Sequence, residues 1–200
     1  MSDEARKVIT PEALISYPHL FVPRPGPSGG EPKFSCALVF LEGTDLTALQ
    51  TAILAAAQEK WGDKAAGMFK AGKLRNPLRT DWEDKGYPEN SVFLNCSSKT
   101  QPGMVEAFAD PTTGLPQVIE DANALYPGAV VRASIRAFAY DAGGNKGVSF
   151  GLNNLQKLRD GDRLDSRVAA TSEFDVVGER PVADMPDADA SELKDILGVG

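Results

Sequence analysis

The sequence predicts a mainly β chain with one long helix, closed as a small, partly open barrel of five to six strands and followed by a disordered acidic tail. Three observations carry this expectation. Short segments alternate in polarity, as in VVRASIRAFAY from Val130 to Tyr140, and a strand puts alternate side chains on opposite faces. A single clear segment, TDLTALQTAILAAAQEKW, repeats apolar residues at helical spacing instead. The charge is uneven. Of a net −7, the residues from Glu173 to Gly200 hold eight acids and two bases, which leaves the rest of the chain at −1. The expected division is a binding domain over residues 1–175 and a flexible tail over 176–200.

The elements follow in order. LISYPHLFV, Leu14 to Val22, reads as a strand interrupted by Pro18, and proline in a strand favours an edge or a bulge. PRPGPSGGEP, with four prolines and three glycines, reads as a loop that orders on binding. KFSCALVFL is a second strand, with Phe34, Cys36, Leu38 and Phe40 on one face and Lys33, Ser35, Ala37 and Val39 on the other. In the helix, Thr44 or Asp45 can serve as cap, Leu46, Leu49, Ile53, Leu54 and Ala57 form the apolar stripe, and Gly62 ends it. The chain then reads as irregular to Asn90. SVFLNCSSK is a third strand whose polar face carries Phe93, Asn95, Ser97 and Lys99, and MVEAF can return as a fourth. Residues 110–128 read as loop. VVRASIRAFAY and VSFGLNNLQKL form the last pair, joined by DAGGNKG, and Gly147 and Gly151 mark tight bends or close backbone approach.

Composition excludes several classes. The chain is 42% hydrophobic and 24% charged. No apolar run approaches the roughly 20 residues that cross a bilayer, so no membrane partner is expected. The N-terminal MSDEARKVIT lacks the apolar stretch of a secretory signal. Cys36 and Cys96 are therefore expected as reduced, buried thiols of a cytoplasmic protein. No cysteines or histidines have metal-ligand spacing, and no phosphate-binding or dinucleotide glycine pattern is present. No cofactor, no metal and no catalytic residue is assigned. His19, the sole histidine, has no legible triad partner.

The feature that asks for an explanation is the polar face of the last strands. Arg132, Arg136, Phe138 and Tyr140 share one face, Phe93 and Lys99 another, and Lys33 a third. Basic grooves with exposed rings are what single-stranded nucleic acid requires, because phosphates track the cations and every base has a face to stack. The plainer alternative leaves the rings beneath loops and the arginines in surface ion pairs. Lys60 to Arg79 holds six bases and one acid. Its Lys73, Arg75 and Arg79, with Arg24 and the hairpin residue Lys146, are candidate phosphate contacts. Asp81, Glu83 and Asp84 offer a different class, a Mg-dependent nuclease, although no second acidic motif supports a two-metal site.

The segments SYPHLFVPRP, GGEPKFSCALVF, PLRTDWEDKGYPE, FLNCSSKTQPGMV, YPGAVVRASIRAFAYDAGGNKGVSFGLNNLQKLRDG and RVAATSEFD resemble, in that order, a family of phage single-stranded DNA-binding proteins. The resemblance spans roughly residues 8–175 and is most specific from Tyr126 to Gly161. It implies an OB-fold barrel that coats exposed strands, without sequence preference, during phage DNA replication or recombination in the host cytoplasm. In the tail, Leu193, Ile196 and Leu197 would share a face of a short helix formed on a partner such as a phage polymerase, helicase or recombinase.

Overall fold

The computed structural model describes residues 3–26 and 29–164. The chain runs β1 (Lys7–Ile9), β2 (Ala13–Gly26), β3 (Gly29–Phe40), α1 (Thr47–Trp61), α2 (Ala65–Lys70), β4 (Val92–Ser98), β5 (Gly103–Ala109), β6 (Pro116–Val118), β7 (Val130–Ala142) and β8 (Asn145–Arg159). The strands join in the order β1-β7-β2-β3-β4-β8-β5-β6, and β7 also pairs with β8. That extra pairing closes β2, β3, β4, β8 and β7 into a ring of five.

The ring is not a clean barrel. β4 and β8 run parallel and touch through only two register pairs, Cys96↔Phe150 and Ser97↔Gly151. Toward the start of β4 they part, and residues 75–79 fill the gap. Arg75 N–H donates to Lys146 C=O at 2.9 Å, and Val148 N–H donates back to Arg75 C=O at 3.2 Å. Arg79 and Phe93 exchange both backbone bonds, at 2.8 and 2.9 Å. Gly147 permits the approach, since a Cβ there would lie 2.7 Å from Arg75 O. Gly151 is different: a Cβ there would meet only Arg136 O, at 3.8 Å, so only the first of the two glycines marks a close approach.

Alternation builds the core as expected in β3, β4 and β7: Cys36, Leu38 and Phe40, Leu94 and Cys96, and Val131, Ala133, Ile135 and Ala137 belong to one buried cluster. Phe150, Leu152 and Leu155 of β8 join it, the last across a register shift against β7. α1 packs on β7 and β8 through Leu49, Ile53 and Ala57, with the alanines at 52, 55 and 56 also buried. Burial of a Leu or Ile side chain contributes about 1.5–3 kcal/mol. Leu54, expected in the apolar stripe, is 37% exposed, and the buried face is made instead by Leu49, Ile53 and the alanines. Asp45 accepts from Thr47 N–H at 2.9 Å, and Gly62 ends the helix at φ 61.

The sequence reading needs three amendments. PRPGPSGGEP is mostly strand: β2 and β3 extend as a two-stranded arm through Arg24↔Lys33 to Gly26↔Gly29, with residues 27 and 28 outside the described part. The span from 62 to 90 contains α2 and 3-10 turns at Gly62–Lys64 and Glu83–Lys85. Residues 110–128, read as loop, hold β6 and a turn at Ala122–Ala124. β1 and β6 are three residues each, too short for a period-two signal. Cys36 and Cys96 are direct register partners, buried and free, with Sγ atoms 3.5 Å apart. Among the described residues no helix is long and apolar enough to cross a membrane. The tail residues Leu193, Ile196 and Leu197 lie outside the described part.

Candidate nucleic-acid interface

The outward faces of β2, β3 and β4 line a groove of about 890 Å³. Five cationic side chains border it, Arg24, Lys33, Arg79, Lys85 and Lys99, against one acid, Glu31. The floor is polar and small: Ser35 and Ala37 from β3, Asn95 and Ser97 from β4. Each comes from the set of residues that alternation turns away from Cys36, Leu38, Leu94 and Cys96. An excess of one sign along a concave surface raises the local potential and concentrates a polyanion.

One ring stands out over this floor. Tyr17 has φ +46 and is 57% exposed. The β2–β3 register shifts between Ser16 and His19, so the chain bulges at Tyr17-Pro18. A bulge re-aims a side chain, and here it turns the Tyr17 ring to the groove while Ser16 stays buried. A left-handed residue costs roughly 1–2 kcal/mol, which the rest of the fold must offset. Next to it His19 is partly buried. Burial, and then the charge of Arg24, hold its imidazole below the ordinary 6.5.

At the other wall Arg79 lies over the Phe93 ring, 5.0 Å from its centre. Its Nε donates to Asp81 Oδ1 at 3.0 Å, and its Nη2 bonds the second carboxylate oxygen. That hydrogen bond from Arg79 holds the Asp81 carboxyl below its usual range. Tyr87 meets Phe93 edge-on at 5.1 Å. Phe93 is thus only 2% exposed; it lines the groove wall with Arg79 over its face. Lys99 pairs with Glu31 at 2.6 Å across the arm.

The remaining sequence candidates fall elsewhere. Lys33, Arg79 and Lys99 border the groove, whereas Arg132, Arg136, Phe138 and Tyr140 do not. Arg132 Nε donates to Gln156 Oε1 at 2.7 Å on the outer face of β8. Phe138 is 43% exposed on that face, and Tyr140, opposite Gly147, is partly exposed toward the β7–β8 hairpin. Lys146 pairs with Asp141 at 3.0 Å on that hairpin. Lys73 and Arg75 are exposed, beside the hairpin rather than on the groove floor. Tyr17 and Lys85 were missed. Pro18 signalled the bulge, and the aromatic before it was the available clue; nothing local marks Lys85.

A model of the family described as Enterobacter phage Enc34, ssDNA-binding protein, matches residues 6–186. The chain belongs to this family. The fold is shared with solved phage proteins. The single-stranded DNA-binding protein from bacteriophage Enc34 in complex with ssDNA aligns with a TM-score of 0.62 at 20% identity, covering 81% of this chain and 91% of that one. Another structure of the single-stranded DNA-binding protein from bacteriophage Enc34 aligns at 0.59 and 20%, covering 86% and 92%. Gp2.5, a single-stranded DNA-binding protein encoded by bacteriophage T7, aligns at 0.53 and 10%, covering 82% and 97%. At such identities the likeness is one of fold. No curated protein sequence matches the chain. Family and neighbours are binding proteins rather than enzymes, which removes the nuclease reading of Asp81, Glu83 and Asp84.

Proposed function

We propose that this protein binds single-stranded DNA without sequence preference and coats strands exposed during phage DNA replication or recombination, in the cytoplasm of the host. The observation that carries the reading is the groove, where among the described residues five cations and one acid, Glu31, line the wall, with Asp81 paired to Arg79 beside it, and the Tyr17 ring stands exposed over a polar floor. Phosphates would follow Arg24, Lys33, Arg79, Lys85 and Lys99, and a base would stack on Tyr17. Ion pairing to phosphates and stacking on a ring do not depend on which base is present, so a surface that relies on them tolerates any sequence. Family membership and the description of the Enc34 protein in complex with ssDNA support the same reading.

Phe138, Tyr140, Lys146, Lys73 and Arg75 are proposed as contacts outside the groove, around the β7–β8 hairpin, and Arg132 as a more distant one. Residues 176–200 are proposed to recruit replication partners through Leu193, Ile196 and Leu197, and to compete with DNA for the cations. The test of the main reading is a polarisation titration with labelled oligo-dT in Mg²⁺. Binding at low salt with the oligonucleotide intact supports it; degradation of the strand, or no binding at any salt, refutes it. For the tail, a chain ending at 175 should bind dT more tightly at low salt, where screening is weak; equal affinity refutes the competition.

A further inference from the structure

A second polar surface adjoins the groove. The strand registers join into one row across six strands: His19↔Ser35, Ser35↔Ser97, Ser97↔Gly151, Gly151↔Arg136 and Arg136↔Lys7. None of these residues belongs to the buried core. The row starts in the groove, at His19, Ser35 and Ser97. It ends at a separate shallow cavity of about 510 Å³ lined by Arg136, Lys7, Asn153 and one acid, Glu4. Between the two stands Gly151, which has no side chain. Packing does not demand a glycine there, since a Cβ would find its nearest neighbour at 3.8 Å and the backbone is not left-handed. A side chain would project outward into the row, because Phe150 and Leu152 on either side point into the core.

We infer that Gly151 is a saddle over which a bound single strand leaves the groove and continues to a phosphate site made by Arg136 and Lys7. Two strand spacings of about 4.8 Å separate Ser97 from Arg136. That distance, roughly 10 Å, equals about three phosphates at the 3.4 Å per-strand spacing of a duplex, and fewer in an extended strand. A bare backbone at the crossing lets the sugar–phosphate chain lie close to the sheet. Arg136 and Lys7, neighbours across β7 and β1, then offer two cations to the phosphates beyond it, and the Asn153 amide a donor. The inference rests on the groove being a single-strand site.

The experiment is a length series of oligo-dT from 4 to 16 nucleotides, the range of site sizes for one such barrel, at 50 mM salt. Wild-type affinity should keep rising beyond the length that fills the groove. G151E sets a carboxylate on the saddle and should end the rise about two or three nucleotides earlier. Its affinity for the longest oligomers should fall on the order of tenfold, the scale of two lost phosphate contacts, with the shortest oligomers unaffected. G151K, similar in bulk and opposite in sign, should retain the rise. Arg136→Gln with Lys7→Gln should reproduce G151E without altering the saddle, so a folding defect in one variant does not decide the matter. The same length dependence in wild type, G151E and the double variant overturns the saddle. Absence of binding by wild type at every length overturns the groove itself, and the two failures are distinct.

Discussion

Replacing both Arg24 and Lys33 by Ala removes one rung of cations from the β2–β3 arm, where the two are register partners. For single strands, each phosphate neutralised contributes about 0.7 to the slope of log affinity against log salt. The five groove cations alone would contribute about −3.5 to the wild-type slope, and the double variant should be shallower than wild type by about 1.4. Between 50 and 200 mM salt, the affinity of the variant should therefore fall roughly sevenfold less than that of wild type. Both side chains are exposed, so the melting temperature should not move; Arg132→Ala, which removes one proposed contact on the β7 face, should flatten the slope by no more than about 0.7. The assay is fluorescence quenching with oligo-dT at four or more salt concentrations. An unchanged slope in the double variant, with a flatter slope in Arg132→Ala, would mean that the strand lies on the β7 face and that the groove is wrongly assigned.

Four further outcomes follow from the same geometry. Tyr17→Gly relieves a left-handed backbone but removes the ring, so dT binding should weaken by about 1–3 kcal/mol with no loss of melting temperature; unaltered affinity would exclude Tyr17 as a stacking platform. Gly147→Ala drives a methyl into the Arg75 backbone and should destabilise by roughly 1–3 kcal/mol in urea melts while loosening Arg79 and weakening binding; wild-type stability would show that residues 75–79 shift freely. The single imidazole signal should titrate below 6.5 in the free protein, so its stabilisation is present above pH 6.5 and lost as pH falls through the lower folded value. Saturating dT, by setting phosphates nearby, should move that midpoint up, and an NMR titration without such movement would take His19 away from the strand. The hydrogen bond with Cys36, and then burial, raise the Cys96 thiol well above 9.0. Its contribution is therefore complete below pH 9.0 and lost as pH rises further; urea melts from pH 8 to 10 should show an alkaline loss that Cys96→Ala reduces, and equal losses would contradict the assignment.

The sequence by itself determined which side chains could share a face. Period two in KFSCALVFL, SVFLNCSSK and VVRASIRAFAY put Cys36 with Leu38, Leu94 with Cys96, and Ile135 with Val131 on shared faces before any pairing was known, because the pleat fixes the alternation locally. The long helix was legible for the same reason, as was Gly62 at its end. What alternation cannot say is which outward faces lie together. Lys33, Asn95 and Lys99 belong to one groove because β3 pairs with β4, and Arg132 and Phe138 lie outside it because closure of the ring carries β7 to another side. Both sets look alike along the chain. The Tyr17 bulge, the burial of Phe93 under Arg79, and the insertion of residues 75–79 between β4 and β8 are likewise products of long-range backbone pairing. Such contacts join residues tens of positions apart, and their energy has no signature in local spacing, so only the tertiary structure could decide them.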